Sequence, residues 1–127
     1  SQQCVFRLAP RAGIQIPEGI TDAEKLAHVQ QLLEAGHPGA ARIWESMGVY
    51  LGYALAHYAE FYPVRHILIL GRCTSGRGGS LILEHAECVL QAEFPELARR
   101  LQVRLPDEKS RRVGQSIAAA SLPELVS

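Results

Sequence analysis

The chain has 127 residues, enough for one compact domain with a real core, and 47% of them are hydrophobic against 20% charged, which excludes a disordered polar segment. Thirteen basic residues balance thirteen acidic ones, so there is no electrostatic case for nucleic acid or an anionic membrane. No uncharged apolar run approaches the ~20 residues of a membrane span, the N-terminus lacks the layout of a signal peptide, and Cys4, Cys73 and Cys88 are odd in number and widely spaced. They read as free thiols of a reducing cytoplasmic setting.

In chain order, Cys4 to Gly13 carries Val5, Leu8 and Ala9 before and around Pro10, the pattern of a short or broken helix, and Gly13 to Gly19 reads as a loop. Thr21 with Glu24 three residues later forms a capping box that starts a helix running to about Ala35, with Leu26, Val29 and Leu33 inward. Gly36-His37-Pro38-Gly39 stops it. A long helix is expected from about Ala40 to Tyr62, its apolar side made by Ile43, Met47, Leu51 and Leu55 and its end set by Pro63. Gly48, Gly52 and Ala56 recur every four residues on one face. Glycine costs about 1 kcal/mol against alanine in a helix, so this strip implies a neighbouring backbone pressed close, or a helix contact between copies.

The run Val64 to Leu70 lacks alternation and is expected to be a central strand covered on both faces. It stops at Gly71 and crosses Arg72-Cys73-Thr74-Ser75-Gly76-Arg77-Gly78-Gly79 into a helix expected from Ser80 to about Phe94, with Leu83, Ala86, Val89 and Leu90 inward. Strand, glycine loop and helix together offer backbone N–H groups to an anion. Pro95 to Arg100 reads as a short helical turn, Leu101 to Leu105 as a half-buried strand, and Glu108 to Ala120 as a last helix with a small apolar face. Two short strands make a poor sheet, so the sheet looks incomplete.

Several sharper readings of these residues fail. Gly71 and Gly76 have the outer spacing of a P-loop, but Arg77-Gly78 follow where Lys and Ser or Thr are required. No G-x-G-x-x-G occurs. His28, His37, His57, His66 and His85 have no partner at metal-ligand spacing. Cys73 lies near a helix start that could lower its pKa, yet no His or Asp close in sequence makes it a nucleophile. A strand-to-helix turn with no ligand is the plain alternative to a nucleotide site.

Taken together, Gly36 to Trp44, Met47 to Ala56, the strand with its glycine loop, and Arg112 to Ala120 resemble the C-terminal half of ROK-family proteins, the family of bacterial glucokinases, other sugar kinases and sugar-responsive repressors. The family's patterns there are a "G-D-P-x-A" helix start, an "x-G-x-x-L-G-x-x-L-A" helix, a strand ending "V-L-G-G-G-V-S" and a final "G-L-x-G-A-A" helix. The resemblance runs from about Cys4 to Leu122. It implies an α/β fold, a partial ribonuclease-H-like domain of the actin-like ATPase type, here mainly helical with about two strands, forming one C-terminal domain over residues 1–127 of a larger two-domain protein. It further implies a nucleotide-side loop of Gly71, Arg72, Thr74, Ser75 and Gly76, with ATP and Mg as cofactors of the parent. The family's "D-x-G-G-T" loop, catalytic aspartate, "E-x-G-H" and zinc-binding cysteines have no counterpart here, nor do the antiparallel strands that open its second half. No catalytic residue and no metal ligand is therefore expected in this chain. The family's second and third loop glycines are Arg72 and Cys73, whose side chains either block the base or stack on it. Two functions follow as expectations: the nucleotide-side, dimerising part of a sugar kinase, inactive by itself, or a regulatory or assembly domain that kept the fold and lost ATP. The expected partners are a second copy or the N-terminal part of the parent, with a nucleotide as ligand.

Overall fold

The computed structural model describes residues 2–106; the last helix read from the sequence, Glu108 to Ala120, lies outside the described residues. The described chain is mostly helical, with two parallel strands, and so is of the α/β class. None of its helices is long and apolar enough to cross a membrane.

Helix α1 (Gln2–Leu8) buries Val5 and continues through a 3-10 turn at Pro10–Ala12, the broken helix its proline implies. Helix α2 (Asp22–Glu34) starts as the capping box dictates: Glu24 N–H donates to Thr21 Oγ1 at 3.2 Å and Thr21 N–H to Glu24 Oε1 at 3.3 Å. Helix α3 (Pro38–Phe61) begins two residues before the expected Ala40. His37 is its N-cap, its Nδ1 accepting from Ala40 N–H at 3.2 Å, and Pro38 fills the first helical position, where no N–H is needed. The tetrapeptide read as a stop is thus also a start.

Of the apolar run, β1 takes only His66–Leu68, and among the described residues it pairs with β2 (Gln102–Arg104) alone, in parallel and in the register His66↔Gln102, Ile67↔Val103, Leu68↔Arg104. Two helices intervene, α4 (Gly76–Glu93) and α5 (Pro95–Arg100). Among the described residues the run does not form the central, doubly covered strand expected of it. Ile67 and Ile69 pack on a cluster of Leu55, Ala56, Leu90, Leu97, Leu101 and Val103, while Leu68 and Leu70 stay 57% and 54% exposed. One face of the sheet is covered by helices, and the other meets no described residue that would bury it.

A second apolar cluster joins Val5, Leu26, Val29, Leu33, Ile43, Trp44 and Ile82 from four helices. Helices α3 and α4 cross against each other over both clusters. At their contact a Cβ on Gly48 would stand 2.6 Å from the Ile82 carbonyl oxygen and 2.8 Å from His85 Cβ; one on Gly52 would stand 2.8 Å from Val89 Cβ. The small strip therefore receives the backbone of α4 within the chain, and it is not available for contact between copies. Gly48→Ala gains helix propensity of about 1 kcal/mol but must push two helices apart at a backbone oxygen, so a net loss of about 1–3 kcal/mol is expected. Chemical denaturation followed by circular dichroism measures it; an unchanged or raised stability contradicts the close contact.

Candidate functional site

The loop after β1 is shaped by three restraints. Gly71 adopts φ 132°, a region closed to side chains. Its carbonyl accepts from Thr74 Oγ1 at 2.7 Å and from Thr74 N–H at 3.2 Å, which closes a 3-10 turn over Arg72–Thr74. The Trp44 indole N–H then donates to the Cys73 carbonyl at 2.8 Å, a buried bond from the middle of the core. From α2, Gln30 Nε2 donates to the Arg72 carbonyl at 2.9 Å.

Helix α4 starts at Gly76 and not at the expected Ser80, because Ser75 already has the extended geometry of an N-cap. The glycine-rich stretch read as loop is therefore largely first helical turn. Glycines are poor helix formers, but here the neighbours require them: a Cβ on Gly78 would lie 2.3 Å from Trp44 Nε1, and one on Gly79 2.1 Å from the Thr74 carbonyl oxygen. The N-terminus of α4, expected to be open to an anion, already carries one. Glu34 Oε1 accepts from Arg77 N–H at 2.9 Å, and it stands 2.7 Å from where a Cβ of Gly76 would be. A carboxylate at this place is favoured by the unpaired N–H groups and by the helix dipole.

The five residues singled out from the sequence consequently divide. Gly71, Arg72 and Thr74 line a groove of about 810 Å³, whereas Ser75 and Gly76 are not part of its wall, Gly76 lying at the Glu34 side. The opposite walls come from α1, through Cys4 and Arg7, and from α3, through Met47, Tyr50, Leu51 and Ala54. Sequence reading missed the α1 and α3 residues, since nothing in their spacing marks them; only the fold brings them beside the loop. The groove is within the size range of small-molecule sites, and Arg7, Arg72, Gln2 and Thr74 line it among mostly apolar residues. Neither arginine forms an ion pair with a described residue.

These groups can bind a ligand that has an anionic end, but they hold little reactive chemistry. Burial pushes the Cys73 thiol above its usual pKa, so the lowered value that the nearby helix start suggested is not found. Among the described residues no cluster of three His, Cys, Asp or Glu side chains could hold a metal ion. With less thiolate and only 6% exposure, Cys73 is expected to be the slowest of the three cysteines to alkylate with iodoacetamide near pH 8, behind the exposed Cys88. Mass mapping of the modified peptides checks this, and early labelling of Cys73 would contradict the geometry. Compared with family models, with curated proteins and with solved structures, the chain matches none.

Proposed function

We propose that this chain is the C-terminal, nucleotide-side part of a ROK-like ATP-dependent sugar kinase, of the ribonuclease-H-like actin-type ATPase fold, and that it has no activity by itself. The observation that carries this reading is the placement of the Gly71–Gly76 loop at the carboxyl end of a parallel strand, opening a helix and bordering a groove. In open α/β sheets, ligands bind outside the carboxyl ends of the strands. The half-covered sheet supports the same reading: exposed Leu68 and Leu70 on a two-stranded sheet suit a strand whose further neighbours belong to another part of the parent. In that parent, phosphoryl transfer from Mg·ATP to a sugar hydroxyl would rest on a base and phosphate loops that this chain does not contribute. Gly71, Arg72 and Thr74 would face the adenosine side.

One observation favours the second reading, a cytoplasmic regulatory or assembly domain that kept the fold and lost ATP. The Glu34 carboxylate already accepts from the Arg77 N–H in the first turn of α4, and a phosphate would have to displace it against like-charge repulsion.

ADP titration followed by amide NMR separates the two. Half a cleft buries one side of a nucleotide and leaves most of its immobilisation cost uncompensated, so binding at about millimolar strength is expected, with shifts confined to Gly71–Arg77 and the groove wall. Glu34→Ala removes the competing carboxylate and should strengthen binding by about threefold or more. No shifts in either protein would rule against the nucleotide reading and leave the regulatory one.

A further inference from the structure

Helix α3 is apolar on two sides. One side carries Gly48, Gly52 and Ala56 and is filled by α4. On the other, Tyr50, His57, Tyr58 and Phe61 form a stripe at helical spacing, extended by Tyr62 just past the helix end, that no described residue covers: Tyr50 is 77%, Tyr58 48%, Phe61 68% and Tyr62 56% exposed. Tyr53 borders the stripe, edge-on to Phe94 at 6.1 Å. Between Tyr50 and Tyr62 the sequence holds only one formally charged side chain, Glu60. A solvated helix face is polar, and this one is not.

We propose that this aromatic stripe is a self-association surface, and that its occupant is the same stripe of a second copy of the chain. Three observations commit it to that occupant. The first is area. With on the order of 200 Å² for each fully exposed ring, Tyr50, Tyr58, Phe61 and Tyr62 with the bordering Tyr53, itself 46% exposed, present about 600 Å², approaching the ~800 Å² that one partner contributes to a standard interface. Single patches on monomers seldom exceed this size.

The second is self-complementarity. A two-fold axis pairs a patch with itself, and a stripe from residue 50 to residue 61 has its centre between Ala54 and His57. Small Ala54 at the middle allows two antiparallel helices to approach, with Tyr50 of one copy against Phe61 of the other. The third is pre-organisation. Tyr58 and Tyr62 stack at 4.6 Å, and His57 meets Phe61 edge-on at 5.2 Å. The rings are fixed before association, so less rotamer entropy is lost on burying them, and rigid Tyr and Phe are the residues that anchor interfaces. The stripe does not need the nucleotide reading, although Tyr50 and Ala54 also line the groove, and it lies on the side of α3 opposite the glycine strip.

Sedimentation velocity of the 127-residue chain from about 1 to 100 µM tests the proposal, with Phe61→Lys and Tyr50→Lys as separate variants; both side chains are largely exposed, so the helical signal and melting should be retained. The expected result is a monomer–dimer equilibrium in the parent chain and at least a tenfold weaker association in each variant. Leu68→Lys, on the open sheet face, should leave it unchanged. A monomer at 100 µM would overturn the proposal and mean that the stripe belongs to another polypeptide. Dissociation by Leu68→Lys alone would overturn it too, by placing the contact at the sheet.

Discussion

The rest of the structure depends on how closely α3 and α4 approach. Side chains normally hold two helices 8–10 Å apart; here Gly48 and Gly52 let the Ile82 and Ala86 carbonyls of α4 come where a Cβ would otherwise be. That contact joins the two apolar clusters, because Leu51 packs against both. It also sets where α4 begins. The start of α4 is drawn down onto Trp44, one helical turn before Gly48, and the chain entering it must fit beneath the indole. Gly78 fits there, and Gly79 fits against the Thr74 carbonyl.

The shape of the Gly71–Gly76 loop follows from this packing without help from a ligand. Trp44 fixes the Cys73 carbonyl, Gln30 the Arg72 carbonyl, and Glu34 the Arg77 N–H. Each of these partners lies on α2 or α3, some thirty to forty residues earlier in the chain. A buried carbonyl without its indole partner would cost about 1–3 kcal/mol, so the loop and the first core cluster stabilise one another. A site on such a loop is pre-organised, which lowers the ordering cost of anything that binds there. The same rigidity means that glycine-rich sequence here is not a sign of mobility.

Local rules in the sequence account for a good part of the fold. Thr21 and Glu24 mark the start of α2 because a capping box is a short-range signal, Pro63 closes α3, and Leu101 to Leu105 shows the alternation of a half-buried strand, of which Val103 is buried and Gln102 and Arg104 are exposed. The glycine strip reads correctly as a close backbone approach. What the sequence does not tell is which backbone approaches, because small residues suit a helix of the same chain or of another copy equally well. The start of α4 is misread for a related reason: helix propensity argues against Gly76, Gly78 and Gly79, and only their neighbours in space, Glu34, Trp44 and the Thr74 carbonyl in turn, explain them. Val64 to Leu70 reads as a central strand because its composition is that of one, yet two described strands cannot surround it. The candidate site is legible only in its loop. Glu34, Gln30, Arg7 and Tyr50 reach it through the tertiary fold, and no motif spacing links them to Gly71.

The central claim is that packing between α2, α3 and α4 holds the loop without a ligand, and hydrogen exchange on the ligand-free chain tests it most directly. The Trp44 indole N–H and the Thr74 and Arg77 amides are each hydrogen-bonded within the chain. The buried indole N–H should exchange as slowly as the amides at the centre of α3 and α4, through global unfolding, and the Thr74 and Arg77 amides should be clearly slower than unbonded amides. Fast exchange at these three sites, with α3 and α4 still protected, would show that the loop opens independently and that the fold does not shape it.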